Sequence, residues 1–577
     1  MKSSQNLHRV FGGLGLLAAG PILAASWSQY RGPQASGVDD RVALPTAWNV
    51  ETGENVRWQT PIPGLSHASL VAWGDRIFVI SAEAKSKPKA ELKVGLYGDI
   101  ESADDRGPQE WRLRALDSRT GKEVWQTLAH AGIPKVSRHT KASHANSTPA
   151  TDGQRIVALL GSEGLFCFDT AGALQWKKDL GPMDSGYYAA PSAQWGFGSS
   201  PVIHDGKVVV NCDVQKGSYL TVLDLRDGHE IWRTARTDVP TWGTPAVIEA
   251  AGRIQIVVNG WHETAGYDFA TGRQFWKLDG GGDIPVPTPV FSRGLIYLTS
   301  AHGKWRPLRA IRPEATGDIT PADPGKTNAA IVWAHGRQGS YMQTPIVVGN
   351  RLFACNDLGI LTCVDASTGV VEYSERLSRA GHGFTASPVS DGRNLYFPSE
   401  MGNVYVVPVT GAFAVLAINP LPEVCMTAPA IVDGMLIFRT RDRVLAVAAG
   451  AKSAGIGRSS ETASAQEPSR VVLQAPPRKL LGEWEGTLVV GPNKLRLAMQ
   501  FRESDGKFTG LVTSLDQGNQ KLSVTRLGEM TTGEVRLEID GIAATFVGKW
   551  SPDGEGLAGE WQQYGDPLPL VLTRKKP

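Results

Sequence analysis

The chain has 577 residues, and its 59 basic and 57 acidic side chains give a formal net charge of only +2 at pH 7. This balance offers no basic surface of the kind that nucleic-acid binding requires. Hydrophobic residues make up 41% of the chain, whereas its five cysteines are too few for a disulfide scaffold. The composition predicts a folded protein without a nucleic-acid partner.

Residues 1–26 have the pattern of a secretory signal. Lys2 and Arg9 precede an apolar run, Val10–Ala25, which ends in small residues. The run is short and rich in glycine, so a cleaved signal is favoured over a membrane anchor. No cysteine lies near the expected cleavage site, and no later segment is predicted to span a membrane. We therefore expect a periplasmic or secreted protein without a lipid anchor.

A short pattern recurs five times after this signal. In each copy a strand ends at Asp, a Gly turn follows, and an aromatic residue stands four positions after that Gly. The copies occupy 115–125, 167–176, 222–232, 266–276 and 363–373. Such a period predicts a propeller or a solenoid, because one unit cannot bury its own apolar face.

A second mark gives the number of units. Seven apolar strands open after a small residue and a proline, 41 to 56 residues apart, and Ser69-Leu70 takes the same place without the proline. The prolines are Pro149, Pro201, Pro245, Pro289, Pro345, Pro388 and Pro429. The aromatic Trp58 precedes all of these strands, so we expect it to complete the last unit. The prediction is an all-β protein with an eight-bladed β-propeller over residues 27–450, closed by its N-terminal strand.

These marks resemble the PQQ-like (quinoprotein-type) β-propeller repeat family, whose members range from quinoprotein dehydrogenases to BamB, the propeller subunit of outer-membrane assembly. The segments Trp27–Pro33 and Ser143–Pro149 resemble a secreted bacterial branch of that family. The resemblance implies the fold far more than it implies an activity.

The repeated aspartates and aromatics are predicted to be structural. An Asp before a Gly turn accepts local backbone hydrogen bonds, and every blade needs the same turn. The aromatic series is predicted to pack between blades. The aspartates are Asp117, Asp169, Asp224, Asp268 and Asp365.

Residues that differ from blade to blade are the better candidates for a site. The segment before each inner strand leads to the mouth of the central channel, and it is rich in His and Trp. It contributes His67, His139, Lys141, His144, Asn146, Trp195, Ser199, Trp242, Gln343, His382 and Thr385. These side chains could plug the channel or hold a planar or sugar-like ligand. The predicted ligand-binding set is His67, His139, His144, Asn146, Trp242, Gln343 and His382; no catalytic residue or metal site is predicted.

Two insertions and one cysteine pair complete the propeller. Glu83–Trp111 and Pro313–Ala329 interrupt the repeat and are expected to form surface loops that carry specificity or partners. Cys355 and Cys363 flank one hairpin, which would allow either a disulfide or two packed thiols.

The repeat ends near residue 450. Residues 451–477 are small, polar and without pattern, which predicts a flexible linker. Residues 478–577 contain eight alternating segments separated by turn signals, which predicts a small up-and-down barrel of lipocalin-like type. This segment resembles a domain appended to secreted bacterial hydrolases.

Three functions remain open at this stage. The favoured one is a non-catalytic binding or scaffolding propeller with a protein partner or a small ligand. The second is a PQQ-dependent oxidoreductase of alcohols or sugars, which would hold PQQ and calcium at the channel mouth. Against it, the channel segment is rich in His and poor in carboxylates, whereas calcium prefers oxygen ligands. The third is a secreted carbohydrate-active or hydrolytic protein.

Overall fold

The computed structural model describes residues 27–85, 92–95, 102–378, 383–459, 462, 473–490, 493–504, 506–516, 520–539, 544–563 and 567–575. Within them the chain is all-β apart from three short 3-10 turns at Pro33–Ala35, Gly161–Glu163 and Arg478–Leu480. No helix of this described part is long and apolar enough to cross a membrane. The predicted signal, residues 1–26, lies outside the described residues.

Eight antiparallel sheets follow one another around a common axis, which confirms the predicted eight-bladed propeller. The first four blades consist of β2 (Val71–Trp73), β3 (Arg76–Ala84), β4 (Gln109–Asp117) and β5 (Glu123–Gly132); β6 (Ala150–Thr151), β7 (Arg155–Leu159), β8 (Leu165–Asp169) and β9 (Leu174–Lys178); β10 (Val202–His204), β11 (Lys207–Cys212), β12 (Tyr219–Asp224) and β13 (Glu230–Ala235); β14 (Ala246–Ala250), β15 (Arg253–Val258), β16 (Thr264–Asp268) and β17 (Gln274–Leu278).

The last four blades consist of β18 (Val290–Ser292), β19 (Leu295–Thr299), β20 (Leu308–Ile311) and β22 (Ile331–His335); β23 (Ile346–Val348), β24 (Arg351–Cys355), β25 (Ile360–Asp365) and β26 (Val371–Arg376); β27 (Val389–Ser390), β28 (Asn394–Pro398), β29 (Asn403–Pro408) and β30 (Ala417–Pro420); β31 (Ala430–Val432), β32 (Met435–Arg439), β33 (Arg443–Lys452) and β1 (Glu54–Pro61). Strand β1 pairs antiparallel with β33, so the start of the chain supplies the outer strand of blade 8. This pairing covers an edge that β33 would otherwise expose.

In five of the eight blades a tryptophan of the outer strand joins its blade to the next one. The indole N–H of Trp58 in blade 8 donates to the carbonyl oxygen of Ser118 in blade 1 at 2.9 Å. Its ring covers Gly121, where an added Cβ would lie 2.3 Å from the ring. The same hydrogen bond, from an indole N–H to a backbone carbonyl oxygen, joins Trp125 to Thr170, Trp176 to Leu225, Trp232 to Phe269 and Trp333 to Ala366. The aromatic packing predicted between blades thus combines contact of the indole ring with a directed hydrogen bond from its N–H.

The repeated Asp shapes the turn that receives this ring. Oδ1 of Asp117 accepts hydrogen bonds from the backbone N–H groups of Arg119 and Thr120 and from the Thr120 hydroxyl. These hydrogen bonds, the hydroxyl's first, hold the pKa of Asp117 below its ordinary value. Asp268 and Asp365 accept the same set. The structural role predicted for these aspartates is confirmed.

The second predicted insertion replaces this turn in blade 5. Within it β21 (Gly317–Asp318) adds in parallel to β17, which makes the sheet of blade 4 five-stranded. The indole N–H of Trp276 turns instead to Oε1 of Gln255 at 3.0 Å. The first insertion joins β3 to β4; β3 extends two residues into its predicted range and β4 covers the last three.

All five cysteines are buried free thiols, so Cys355 and Cys363 form no disulfide. They lie diagonally across one hairpin, since Phe353 is the residue opposite Cys363. Both pack into the apolar core between blades 6 and 7. Burial raises the pKa of the Cys363 thiol to about 12, which keeps it protonated at neutral pH.

The C-terminal sheet has nine strands rather than the predicted eight. They are β34 (Gly482–Val490), β35 (Asn493–Ser504), β36 (Lys507–Ser514), β37 (Gln520–Ser523), β38 (Arg526–Glu529), β39 (Val535–Ile539), β40 (Ala544–Trp550), β41 (Gly556–Gln562) and β42 (Leu568–Arg574). One of the eight predicted segments, residues 521–526, is divided between two strands, because Val524 donates its N–H to Gly510 on one edge and Thr525 donates to Glu538 on the other. Strands β37 and β38 are therefore the two edges of a curled, open sheet.

Candidate functional site

A ring of hydroxyl groups surrounds the propeller axis where the inner strands begin. In five of the blade interfaces, the residue before the inner strand donates its backbone N–H to the hydroxyl of its counterpart in the next blade, at 2.9 to 3.1 Å. The pairs are Ser69 to Thr148, Thr148 to Ser200, Ser200 to Thr244, Thr288 to Thr344, and Thr344 to Ser387. This ring explains the repeated Ser/Thr-Pro pair, since the proline holds the preceding residue extended.

The segment Trp27–Ala35 crosses the axis below this ring. Arg31 is fully buried, and its guanidinium donates to carbonyl oxygens of Ala35, Ser36, Pro345 and Pro388. The 3-10 turn that follows Arg31 contacts β14 and β18. The N-terminal segment therefore touches both sides of the ring and closes the channel at one end.

A cavity of about 610 Å³ lies above this segment. We call it the axial cup; its wall includes His67, Lys141, Trp195, Trp242 and Tyr341, and its floor includes Tyr30. The hydroxyl of Tyr30 lies 2.9 Å from that of Ser387 in the hydroxyl ring. The cup opens on the face that carries the links between blades and the turns between second and third strands.

Four of the seven predicted ligand-binding residues line the axial cup: His67, His139, Asn146 and Trp242. His144 and Gln343 lie outside its lining, and His382 lies outside the described residues. The repeat register places all of these positions near the mouth, but the direction of each side chain decides whether it reaches the cavity.

The polar atoms of the four lining residues mostly hold the wall itself together. Oδ1 of Asn146 accepts the N–H and the hydroxyl of Ser143, each at 2.9 Å, and its amide donates to Phe197. The indole N–H of Trp242 donates to Gly196 at 2.9 Å. His139 accepts a backbone N–H at Nδ1 and packs edge-on against Trp195. The residues that line the cup thus also build it.

His67 is kept neutral by its surroundings. Its Nε2 lies 3.1 Å from the carbonyl oxygen of Lys141, which it can reach as a donor. Burial, followed by the charge of Arg138, lowers the pKa of His67 to about 3, and Arg439 contributes in the same direction. At neutral pH this ring is therefore an uncharged donor in the wall.

The two predicted residues outside the lining have structural partners. Nε2 of His144 lies 3.2 Å from Oδ1 of Asp105, and Arg138 binds the other oxygen of that carboxylate. Burial opposes ionisation of Asp105, yet these partners hold its pKa below the ordinary value. The amide of Gln343 donates to Ala386 at 2.7 Å. Both side chains brace the links between blades.

Sequence analysis missed several lining residues. Arg306, Asp357 and Tyr341 come from blades 5 and 6, and none of them belongs to the predicted set. The spacing of 52 residues before Pro201 does mark extra chain at the mouth, in the link between blades 2 and 3, whereas the spacing of 56 residues before Pro345 includes the insertion between the third and fourth strands of blade 5, on the opposite face. The Lys141 ammonium is paired with the buried carboxylate of Glu400 at 2.5 Å.

One group of potential metal ligands occurs among the described residues, and it lies away from the cup. Asp224, Asp227 and His229 stand together at the hairpin turn of blade 3. Oδ1 of Asp224 already accepts the N–H of Arg226, and Asp227 accepts the N–H of His229. This cluster is explained by the turn itself.

Comparison with known proteins gives partial relatives. The chain is 26% identical over 217 residues to outer membrane protein assembly factor BamB of Alkalilimnicola ehrlichii, which is 36% of this chain and 50% of that protein. It is 30% identical over 192 residues to the serine/threonine-protein kinase AfsK of Streptomyces griseus, or 30% of this chain and 20% of the kinase. The matches thus span half or less of these relatives. The crystal structure of BamB from Moraxella catarrhalis shares 14% identity and a TM-score of 0.43, covering 63% of this chain and 98% of that one.

The family comparison covers far more of the propeller. The family described as outer membrane protein assembly factor BamB matches residues 30–186, 109–278 and 167–411 in overlapping segments. These segments include every copy of the Asp–Gly–aromatic repeat and most of the hydroxyl ring. The chain therefore belongs to this BamB-type family of PQQ-like repeat propellers.

Proposed function

We propose that the protein is a non-catalytic binding or scaffolding propeller of the bacterial periplasm or cell exterior, exported by the signal in residues 1–26. Family membership supports a BamB-like role, since the relatives carry the name of an outer-membrane assembly factor. The observation that carries the proposal is the axial cup: it is closed below and open on one face, and the polar atoms of Asn146 and Trp242 are bound into its frame. A concave surface of this kind can receive a ligand or a partner.

The donors in the cup do not fit a calcium-bound quinone. Calcium takes about six to eight oxygen ligands, whereas Asp357 is the one carboxylate among the described lining residues. Oδ1 of Asn146 is already occupied by Ser143. The ammonium of Lys141, a natural partner for the carboxylates of PQQ, is neutralised by Glu400. These lining residues therefore favour a binding function over that of a quinoprotein oxidoreductase.

A cofactor titration tests this choice. The mature chain is incubated with PQQ and calcium, desalted, and assayed for retained quinone absorbance and for dye-linked oxidation of alcohols and aldoses. We expect neither retention nor turnover. Quinone-dependent turnover that is lost in Trp242→Ala would refute the non-catalytic proposal.

A cross-linking experiment tests the binding face. A photo-reactive residue is placed at the exposed Lys304, in the turn between β19 and β20 on the open face of the cup. The control position is the exposed Thr410, which lies between β29 and β30 on the opposite face. In intact cells we expect defined adducts with envelope components from position 304 and none from position 410. Equal adducts from both positions, or none from either, would contradict a directed binding face.

A further inference from the structure

The axial cup continues into a line of aromatic rings that leads out of it. Trp242 and Trp195 have ring centroids 5.7 Å apart, and Tyr187 stacks on Trp195 at 5.7 Å with an interplanar angle of 14°. Tyr188 follows at 5.0 Å, and Trp261 lies 4.7 Å beyond it. All five rings keep part of their surface exposed. We call these five residues the aromatic line.

The aromatic line is drawn from separate parts of the fold. Tyr187, Tyr188 and Trp195 belong to the long link between blades 2 and 3, whereas Trp261 lies in a turn of blade 4. Asp283, in the link between blades 4 and 5, contacts the two tyrosines, since the hydroxyls of Tyr187 and Tyr188 both lie 3.4 Å from its Oδ2. The line is therefore supported by its own contacts and does not need a ligand to form.

Polar groups with spare hydrogen-bonding capacity lie in the neighbouring wall. Thr288 lines the cup, and its buried hydroxyl has no hydrogen-bond partner among the described residues. The hydroxyl ring is interrupted at this residue. The guanidinium of Arg306 and the hydroxyl of Tyr341 also line the cup, and neither makes a side-chain hydrogen bond within the described part of the chain. A buried hydroxyl without a partner is costly, so an occupant that binds it is favoured.

The ammonium group that lines the cup is balanced inside the protein. Lys141 is paired with Glu400 at 2.5 Å, and Glu400 also accepts the N–H of Gly95 and the hydroxyl of Thr385. Burial raises the pKa of Asp357, while the nearby charge of Arg306 acts in the opposite direction. An anionic ligand would have to compete with Glu400 for Lys141, whereas a neutral ligand with many hydroxyls could bind these groups as both donors and acceptors.

We propose that the axial cup and the aromatic line bind a neutral oligosaccharide, whose terminal ring enters the cup while the following rings lie along Tyr187, Tyr188 and Trp261. This inference rests on the proposed binding function and adds its ligand class. Sugar rings present apolar C–H faces to aromatic side chains and hydroxyls at their edges. The cup supplies the aromatic Trp242 and Trp195 beside the hydroxyls of Thr288 and Tyr341. Its volume of about 610 Å³ lies within the range of small-molecule sites.

The test is a titration of the mature protein, followed by tryptophan fluorescence and calorimetry. The neutral probes are glucose, maltose, maltotetraose, cellotetraose and chitotetraose; the anionic probes are tetragalacturonate and PQQ. A short aromatic peptide serves as the competing class of ligand. We expect at least one neutral tetrasaccharide to bind about tenfold or more tightly than its monosaccharide, and the anionic probes to bind more weakly.

Four variants locate the binding. Trp242→Ala should weaken every neutral saccharide about tenfold, while Trp242→Phe restores most of the affinity and shows that the wall is folded. Trp261→Ala should weaken the tetrasaccharide about fivefold and leave the monosaccharide unchanged. Trp73→Ala is the matched control, because Trp73 is 40% exposed and lies outside the cup; it should leave all affinities unchanged.

The outcomes separate the two proposals. Absence of neutral saccharide binding, tighter binding of tetragalacturonate, or preference for the peptide overturns the oligosaccharide inference and leaves the binding propeller standing. Tight PQQ binding with quinone-dependent turnover overturns both. Saccharide binding that responds equally to Trp73→Ala and Trp242→Ala places the site elsewhere and also overturns the inference.

Discussion

Acidification should destabilise the propeller through His67. In the folded protein, burial and the charges of Arg138 and Arg439 lower the pKa of His67 to about 3. In the unfolded chain the same ring titrates near its ordinary value of about 6.5. Because the folded pKa is the lower one, the stability gained from a neutral His67 is complete above pH 6.5 and is lost progressively as the pH falls toward 3.

The structure sets the size of this loss. Between pH 6.5 and pH 4.5 the unfolded chain takes up a proton that the folded protein refuses. Two pH units at about 1.36 kcal/mol each give a ceiling of about 2.7 kcal/mol. The ring of His67 is only partly buried in the wall of the cup, so solvent screening reduces the expected loss to about 1–2 kcal/mol.

Urea unfolding at pH 7.5, 6.0 and 4.5, followed by tryptophan fluorescence, measures the effect. His67→Gln keeps a donor for the Lys141 carbonyl but does not titrate, so its free energy of unfolding should fall by about 1–2 kcal/mol less than that of wild type. His262→Gln is the control, because the side chain of His262 is 45% exposed. Parallel loss in wild type and His67→Gln would refute the reasoning.

Four further outcomes follow from the packing. Gly121→Ala should cost more than Gly74→Ala in urea unfolding, since both have a left-handed φ but only the former would strike the Trp58 ring; equal costs would contradict the role of that contact. Trp58→Ala should cost about 3–5 kcal/mol, and a wild-type unfolding midpoint would show that blade 8 does not need it. Arg31→Met should cost about 2–4 kcal/mol by leaving carbonyl oxygens unpaired; unchanged stability would show that other groups satisfy them. Limited trypsin digestion should cleave first within 451–477 and release two resistant fragments, whereas simultaneous loss of both would contradict the linker prediction.

The propeller could be predicted because its repeat is built from local spacings. Asp117, Gly121 and the tryptophan four residues later are close in sequence, so one turn fixes all three. The partner of each turn is the corresponding tryptophan of the previous blade, such as Trp58. Because the pattern repeats, the contact between neighbouring blades can be predicted without knowledge of the tertiary structure.

The cup could be predicted only in part because its wall depends on side-chain direction and on irregular chain. The register places His144 beside the mouth, but Asp105 draws its ring into the first insertion. Tyr341 stands in the link between blades 5 and 6 and Arg306 in the turn between β19 and β20, and neither belongs to a repeated sequence pattern. A pattern that defines equivalent positions carries no information about these residues.

The C-terminal sheet shows the same limit. Alternation predicts its strands well, since each inward residue joins one apolar core. It does not show that Val524 and Thr525 pair with opposite edges. A two-residue crossing of this kind is decided by the curl of the whole sheet, which local alternation does not encode.

The regular and irregular parts of the propeller have different roles in the proposed binding. The repeated groups satisfy one another: the indole N–H binds a carbonyl oxygen, the Asp binds its turn, and the hydroxyl accepts the N–H of the previous blade. The ring of hydroxyls is interrupted at Thr288, a residue of the cup whose buried hydroxyl has no partner among the described residues. The long link that follows blade 2 brings Tyr187 and Trp195 to the same opening. Spare hydrogen-bonding capacity and exposed aromatic surface thus coincide where the repeat fails, which is why the axial cup, rather than the repeated turns, is the surface on which a ligand gains most.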